Sequence, residues 1–234
     1  MKFFQGLDRL SDSGSPIYAA MQQYAEEATL SDTAGSRLSV VKGLNDGQRH
    51  VVKRVRCIPC KTKEQQMALA YAVQEARLLM QMRHPNILRA QDFFTEGAHY
   101  CIVLEYCAGG DLKQQIDAAA SARTCLAASS VLGWIEGIAS AAKYFHVLGV
   151  LHRDLKPANI LLTALAGRPA DVRVGDFGAA RQIRTGQGSI QAKPTGTRQY
   201  MVRQTLLEEC EPFASRSVQT VVTGCVRACG RRQR

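Results

Sequence analysis

The chain has 234 residues, 46% of them hydrophobic, and its 30 Lys and Arg against 20 Asp and Glu give a net charge of +10. This size and hydrophobicity suffice for one large core or two small lobes, which argues against disorder of the whole chain. No apolar run approaches the roughly 18 residues of a membrane helix, and the apolar stretch at the start is too short for a secretory signal. We therefore expect a soluble, intracellular protein, most simply a cytoplasmic one.

The positive charge is concentrated at the C-terminal end. No acidic residue follows Glu211, whereas five arginines do. They are Arg216, Arg227, Arg231, Arg232 and Arg234. Clustered basic residues attract phosphate, but the rest of the chain is only mildly basic. We expect a solvated basic end rather than a specific nucleic-acid interface.

The first elements in chain order are an extension and a hairpin. Residues 1–28 contain few large apolar groups and predict an extension outside the core, with one short helix around residues 17–27. Residues 37–41 and 49–55 are β-like, and the intervening Gly-Leu-Asn-Asp-Gly has turn composition. They predict an antiparallel hairpin.

A helix and two more strands follow. Residues 63–82 have helical composition and apolar residues at spacings of three and four, and Pro85 ends the pattern. The predicted apolar face consists of Met67, Ala70, Tyr71, Leu78, Leu79 and Met82. Residues 93–94 and 100–104 predict strands on either side of a turn. The first half is therefore predicted to form a small sheet with one helix.

The second half is predicted to open with a long helix. After a break at Gly109 and Gly110, an apolar face recurs at helical spacing. It consists of Val131, Trp134, Ile135, Ile138, Ala142 and Phe145. Short strands are predicted at residues 150–151, 160–162 and 172–174, around polar loops of the kind that carry site residues. The whole pattern predicts an α+β fold.

The strongest motif is the run His-Arg-Asp-Leu-Lys-Pro-Ala-Asn at residues 152–159, followed by Asp-Phe-Gly at residues 176–178. A stray His-Arg-Asp is weak evidence, but eight matched positions followed by Asp-Phe-Gly at this distance are difficult to obtain by chance. The two segments resemble the catalytic loop and magnesium loop of eukaryotic-type serine/threonine protein kinases. The resemblance implies a bilobal fold, with a small β-rich N-lobe and a mainly helical C-lobe, that uses ATP and Mg²⁺ to phosphorylate protein Ser/Thr hydroxyls.

The resemblance also implies a role for each polar residue of these loops. Phosphoryl transfer depends mostly on positioning and charge neutralisation, so carboxylates and an amide are needed around the metal ions. By resemblance, Asp154 accepts or orients the proton of the substrate hydroxyl, and Lys156 steadies the transferred phosphate. Asn159 and Asp176 hold the metals. Lys156 in this position is typical of the serine/threonine branch.

Further parts of the nucleotide site are implied upstream. Lys53 ends a strand that resembles the family's Val-Ala-Ile-Lys, and Glu75 lies on the helix where the family has the glutamate that pairs with this lysine. Residues 103–112 resemble the hinge that binds adenine through its backbone, which assigns Glu105 and Cys107 to cofactor binding. Asp111 is then expected to meet the ribose.

The hinge assignment also places Leu104 at the gatekeeper position. The glycine-rich phosphate loop aligns with residues 33–40, where Gly35 and Val40 are retained. The outer glycines are absent, which restricts the approach of the backbone to phosphate.

Within the family, the NIMA-related (NEK) kinases are the most similar. The activation segment is expected at residues 176–204, with Thr185, Ser189 and Thr195 as candidate phosphate acceptors. Arg153 is expected to meet such a phosphate.

The resemblance weakens after Met201, where the glutamate that closes the family's activation segment is missing. The predicted organisation is an extension (1–28), an N-lobe (29–104), a hinge (105–110), an incomplete C-lobe (111–204) and a divergent basic tail (205–234). Without the remaining C-lobe helices, Trp134, Ile138 and Phe145 are expected to lose part of the surface that buries them. The alternative function is a catalytically impaired, kinase-derived nucleotide-binding or protein-interaction module.

Overall fold

The structure, a computed structural model, describes residues 23–33, 35–56, 62–163 and 171–182. They fall into two compact units. The first unit combines the chain up to residue 72 with residues 90–106, and the second combines residues 73–89 with the chain from residue 107. Strands dominate the first unit and helices are prominent in the second, which confirms the predicted α+β class.

Within the described residues, the first unit contains one antiparallel five-stranded sheet with the strand order β1-β2-β3-β5-β4. The strands are β1 (Tyr24–Asp32), β2 (Ser36–Gly43), β3 (Arg49–Arg56), β4 (Ala90–Glu96) and β5 (His99–Glu105). The hairpin of β2 and β3 is confirmed. Its turn closes through a 2.8 Å bond from Gly43 N–H to the Gln48 carbonyl, and Gly47 supplies the positive φ of 66° that the turn requires.

Strand β1 differs from the prediction, because the expected helix around residues 17–27 is wrong from Tyr24 onward. The Ala-Glu-Glu-Ala run at residues 25–28 has helical propensity, but pairing with β2 overrides it. Ion pairs of 2.7 Å connect Glu26 to Arg37 of β2 and Glu27 to Arg49 of β3. The sheet therefore includes residues 24–28 of the expected extension, while residues 1–22 lie outside the described part.

One face of this sheet carries an apolar cluster. It consists of Val41, Val52, Phe94, Cys101 and Val103, with Tyr24 packed against it. Adjacent strands contribute members in register, as in the pair of Val52 and Val103. Burying each valine removes apolar surface worth about 1.5–3 kcal/mol, so this cluster contributes strongly to the stability of the sheet.

Helix α1 (Lys63–Gln81) has nearly the predicted bounds, but the predicted apolar face is wrong in its first half. Met67 and Tyr71 are 53% and 39% exposed. Leu78 and Leu79 of the predicted face are buried, but the other buried positions of the helix were not predicted. They are Ala72, Glu75 and Ala76. Two alanines and a glutamate are weakly hydrophobic, so a pattern based on large apolar residues selected the neighbouring face.

The second unit contains two further helices and two small strand pairs within the described residues. These elements are α2 (Leu112–Ser121), α3 (Ala128–Val147), β6 (Val150–Leu151), β7 (Ile160–Leu162), β8 (Val172–Val174) and β9 (Arg181–Gln182). Strand β6 pairs with β9 and β7 pairs with β8, all antiparallel. The three predicted strands are confirmed, whereas α2 and β9 were not predicted. None of the described helices is long and apolar enough to cross a membrane.

Helix α3 packs on β6 and β8 through its apolar face. The expectation that Trp134, Ile138 and Phe145 would be left partly exposed is wrong, because they are only 7%, 1% and 1% exposed. Phe145 packs edge to face on Phe177, with ring centroids 5.7 Å apart, and also faces His152 at 6.0 Å. The segments that carry the motif thus cover part of the helix that supports them.

Candidate active site

The catalytic-loop residues predicted from the sequence lie together between β6 and β7. Lys156 Nζ is 2.6 Å from Asp154 Oδ2, and the two side chains are 21% and 13% exposed. Asn159 Nδ2 donates to the Asp154 carbonyl at 2.8 Å and to its Oδ2 at 3.3 Å. Pro157 opens the short 3-10 turn that carries Asn159, consistent with the fixed φ of proline. The three side chains predicted to be functional, which lie within six residues, therefore restrain one another.

His152 connects this loop to the segment of Asp176. The ring is 3% exposed, its Nε2 lies 2.9 Å from the Gly175 carbonyl, and its Nδ1 accepts from Asp154 N–H at 3.3 Å. These partners select the neutral tautomer protonated at Nε2. Burial lowers the pKa of His152, which favours the same neutral form. The sequence prediction assigned His152 no role, although it begins the strongest motif.

Asp176 adopts a left-handed backbone conformation with φ 59° and ψ 64°. Gly175 N–H donates to the Asn159 carbonyl at 2.9 Å, and the fully buried Phe177 packs on the ring of His152 at 4.6 Å. Left-handed conformations are unfavourable for residues with a side chain, least so for Asp and Asn. The hydrogen bond of Gly175 before Asp176 and the packing of Phe177 after it hold Asp176 in this conformation.

The side-chain oxygens of Asn159 and Asp176 are ligands that suit a hard cation such as Mg²⁺. Because Asn159 Nδ2 bonds to Asp154, the amide oxygen is directed elsewhere and can serve as a ligand. Asp176 adds a carboxylate, and Mg²⁺ commonly takes one or two protein oxygens together with substrate phosphates. Across the described ranges, no cluster of three or more His, Cys, Asp or Glu is arranged to hold a metal. Metal binding by Asn159 and Asp176 stays a prediction.

Gly109 and Gly110, in the predicted hinge, exchange backbone hydrogen bonds with Leu162 of β7. Gly109 N–H donates to the Leu162 carbonyl at 2.8 Å, and Leu162 N–H donates to the Gly110 carbonyl at 2.9 Å. A Cβ at Gly109 would lie 2.7 Å from the Leu162 oxygen, so any larger residue would push β7 away. Asp111 follows and caps α2, because its Oδ1 accepts from Gln114 N–H at 2.9 Å. Its contact with ribose stays a prediction.

The remaining nucleotide-site predictions concern individual positions. Lys53 is half-buried on β3, between Leu38 and Ile102 in the strand register. Glu75 is 2% exposed on α1. The ion pair between Lys53 and Glu75 stays a prediction, as does nucleotide binding at Glu105, the last residue of β5. The same holds for Cys107, which is half-buried.

The turn between β1 and β2 is closed by Thr33. Its N–H and Oγ1 donate to the Ser36 carbonyl at 3.0 and 2.9 Å, and Ser36 N–H donates back to Thr33 Oγ1 at 3.2 Å. A Cβ at Gly35 would meet nothing within 4 Å, so local packing does not require glycine there. Val40 is buried on β2, opposite Val51 of β3. A role for Gly35 or Val40 in covering phosphate stays a prediction.

Arg153 and Gln74 make contacts that the sequence did not reveal. Arg153 Nε donates to the Ala179 carbonyl at 2.7 Å, and Gln74 Nε2 donates to the Ala180 carbonyl. Arg153 was expected to meet a phosphate, which stays a prediction, whereas the only sequence signal for Gln74 was its position directly before Glu75. The candidate phosphate acceptors Thr185, Ser189 and Thr195 lie outside the described residues.

Comparison with known proteins agrees with this geometry. The family described as Protein kinase domain matches residues 33–228. The chain therefore belongs to the protein kinase family. The match continues past Met201, so recognisable kinase sequence extends further than the motif comparison indicated, into most of the expected basic tail.

The relatives are serine/threonine kinases. The chain is 32% identical over 163 residues to serine/threonine-protein kinase Nek1 of Mus musculus, covering 70% of this chain and 13% of that protein. It is 34% identical over 166 residues to Nek4 of the same species, covering 70% and 19%. It is also 32% identical over 180 residues to serine/threonine-protein kinase ULK1 of Homo sapiens, covering 75% and 16%. The NEK-like character is confirmed, and the chain spans less than a fifth of the length of each of these relatives.

Proposed function

We propose that this chain transfers the γ-phosphate of ATP to Ser or Thr hydroxyls of proteins. The observation that carries the proposal is the contact of Lys156 Nζ with Asp154 Oδ2 at 2.6 Å, with Asn159 Nδ2 bonded to the same loop. This arrangement holds a carboxylate and a cation together on a restrained loop. It suits a reaction in which positioning and charge neutralisation supply most of the catalysis.

In this proposal, the Asp154 carboxylate accepts a hydrogen bond from the substrate hydroxyl and orients its oxygen towards the γ-phosphate. The proton leaves the hydroxyl late, when the new P–O bond has largely formed. Lys156 keeps a positive charge beside Asp154 and beside the phosphate that is being transferred. Asn159 fixes the loop through its amide N–H groups.

The metal-binding part of the site belongs to Asn159 and Asp176. Mg²⁺ bound there would neutralise charge on the ATP phosphates. Lys53, with Glu75 as its proposed partner, binds the α- and β-phosphates, and the backbone at Glu105 and Cys107 binds adenine. Asp111 meets the ribose, while Gly35 and Val40 lie over the phosphates and base.

The test is transfer of label from γ-labelled ATP with Mg²⁺ to a mixed protein acceptor, comparing the full chain with Asp154→Asn. Removing a positioned base costs about 10²- to 10⁴-fold in rate. We expect label on phosphoserine and phosphothreonine with the wild-type chain, and a loss of at least a hundredfold in the variant. Transfer that is equal in both proteins, or label confined to tyrosine, would contradict the proposal.

Nucleotide binding without any transfer would instead favour the impaired, kinase-derived binding module. Calorimetry with ATP on the same preparations separates this outcome from misfolding, because a misfolded chain would bind no nucleotide.

A further inference from the structure

The hairpin of β1 and β2 carries the turn that is predicted to cover the phosphates of ATP. The glycine-rich motif aligns with residues 33–38, and its first and last glycine positions hold Thr33 and Leu38 in this chain. Residues with side chains lack the conformational freedom of glycine. The shape of this turn therefore depends on contacts made by the residues around it.

Backbone pairing holds β1 with interruptions. Strand β1 is an edge of the described sheet, where it pairs with β2. The register between the two strands shifts at two steps, from Glu26 to Ala28 and from Thr29 to Ser31. Shifts of this kind interrupt the ladder of hydrogen bonds and bend the strand. Side-chain contacts at these two steps are therefore important for holding β1 on the sheet.

Arg37 of β2 makes contacts at both steps. Its Nη2 donates to Glu26 Oε1 at 2.7 Å and to Thr29 Oγ1 at 2.9 Å. Glu26 and Thr29 are the residues that directly precede the two register shifts. Arg37 itself lies opposite Asp32, the last residue of β1 before the turn. One guanidinium group thus joins both interruptions of β1 to the start of β2.

The carboxylate that Arg37 contacts belongs to a network. Glu26 Oε1 also accepts from Ser39 Oγ at 3.0 Å, and Glu26 Oε2 lies 3.5 Å from Arg54 Nη2. Ser39 is fully buried, and Arg54 also lies 3.6 Å from Glu96 of β4. Burial alone would raise the pKa of Glu26, but the hydrogen bond from Ser39 and the charges of Arg54 and Arg37 lower it. Isolated surface ion pairs contribute little to stability, whereas a network around one fixed carboxylate contributes more.

We propose that Arg37 is a positioning residue that holds the hairpin of β1 and β2 in the shape required to cover the nucleotide phosphates. The hairpin is ordered before nucleotide binds, so less conformational entropy is lost on binding. The effect concerns the phosphates rather than adenine, because adenine binding is assigned to the hinge. The proposal rests on the proposed function for the bound nucleotide, whereas the ordering of the hairpin is a property of the fold.

The experiment uses the full chain with Arg37→Met, which keeps most of the apolar stem but removes the donors. Glu26→Gln is a second variant, which keeps the size of the side chain but removes its charge. Arg49→Met is the matched control, because Arg49 of β3 forms an ion pair of the same 2.7 Å length with Glu27 of β1. One readout is hydrogen exchange in the peptide that covers residues 29–40. The other is calorimetric affinity for ADP and for adenosine, since their difference reports on the phosphates in a way that general destabilisation does not.

We expect exchange in this peptide to accelerate about three- to tenfold in Arg37→Met, by less in Glu26→Gln, and not at all in Arg49→Met. The affinity of Arg37→Met for ADP should fall by a similar factor, while its affinity for adenosine stays within about twofold of wild type. Unchanged exchange in this peptide, equal acceleration throughout the first unit, or equal losses of affinity for ADP and adenosine would overturn the proposal.

The two readouts distinguish this proposal from the proposed function. Exchange is measured without nucleotide, so it decides whether Arg37 orders the hairpin even in a chain that binds none. A wild-type chain that binds no ADP would refute the proposed function and the positioning role together. Phosphoryl transfer without the exchange difference would support the proposed function and reject the role of Arg37.

Discussion

At the scale of single residues, the second unit brings the polar side chains of the catalytic motif into contact with one another. Asp154 contacts Lys156 and Asn159, and the backbone N–H of Asp154 donates to His152. Each contact removes rotational freedom from a group that would otherwise have to be ordered during the reaction. When a reaction needs little covalent participation by the protein, such preorganisation is a main source of rate acceleration.

The residue-scale prediction concerns Lys53. Lys53→Met keeps most of the apolar stem but removes the charge proposed to bind phosphate, so transfer should fall at least about a hundredfold. The melting temperature should change little, because the lost group contributes charge rather than packing. Phosphotransfer and thermal unfolding are measured side by side, with Lys42→Met on the exposed side of β2 as the control. Wild-type turnover in Lys53→Met would refute the assignment.

Gln74 and Asp111 make contacts that could not be predicted from the sequence. The catalytic-loop residues were predictable because their spacing is tied to one chemistry. Gln74 was not, since a glutamine on a helix has no distinctive pattern and its acceptor is a backbone carbonyl more than 100 residues away. Asp111 was assigned a ligand role by position, and the structure adds a capping role that depends only on the helix that follows.

At the scale of elements, helix α3 supports the site through a close approach at Gly137. A Cβ there would lie 2.5 Å from Val172 Cγ2 and 2.8 Å from Asn86 Nδ2, and Asn86 Nδ2 donates to the Val172 carbonyl at 3.2 Å. The absence of a side chain thus lets α3 approach β8 and the loop before β4. Gly133, one turn earlier on the same helix, is exposed and meets nothing within 4 Å.

These two glycines give a matched prediction. Gly133→Ala should raise the free energy of unfolding by about 0.5–1 kcal/mol, because alanine loses less backbone entropy in a helix. Gly137→Ala should lower it by about 1–3 kcal/mol, because the neighbours must move to admit the methyl group. Denaturant unfolding of both variants measures the difference. Equal stabilisation by the two substitutions would show that α3 does not pack this closely.

Elements were predictable where local patterning agrees with tertiary structure. The hairpin of β2 and β3 and the bounds of α1 and α3 follow from turn composition and helical spacing. Strand β1 was missed because its helical propensity loses to sheet pairing. The first part of the buried face of α1 was missed because it contains Glu75 and alanines rather than large apolar residues, whereas Leu78 and Leu79 were predicted correctly. A hydrophobicity pattern cannot predict that a carboxylate such as that of Glu75 is buried.

At the scale of the whole molecule, three histidines of the described residues share one electrostatic tendency. Burial lowers the pKa values of His84, His146 and His152 below the ordinary 6.5. The geometry of His84 is consistent with a neutral ring, since Nδ1 accepts from Asn86 N–H at 3.1 Å and the ring packs against Tyr144. A protonated ring could not accept that bond.

The sign of the pH dependence follows from this tendency. Below pH 6.5 the unfolded chain binds protons that the folded histidines resist, so the free energy of unfolding should fall as pH falls from about 7 to 5.5. Above pH 7 these groups should contribute no slope. His84→Asn, which can still accept from Asn86, should weaken the dependence, whereas His99→Asn at an exposed site should not. Denaturant titrations across this range provide the measurement, and stability that rises on acidification would contradict it.

The central claim is that the catalytic loop and the segment of Asp176 form one metal-dependent nucleotide site. The most direct test is a calorimetric titration of ATP with and without Mg²⁺, on the full chain and on Asp176→Asn. We predict that Mg²⁺ raises the affinity of the wild-type chain at least about tenfold, since Asn159 and Asp176 offer oxygen ligands that suit this ion. The variant should lose that gain. Equal affinity with and without Mg²⁺ in the wild-type chain would contradict the account.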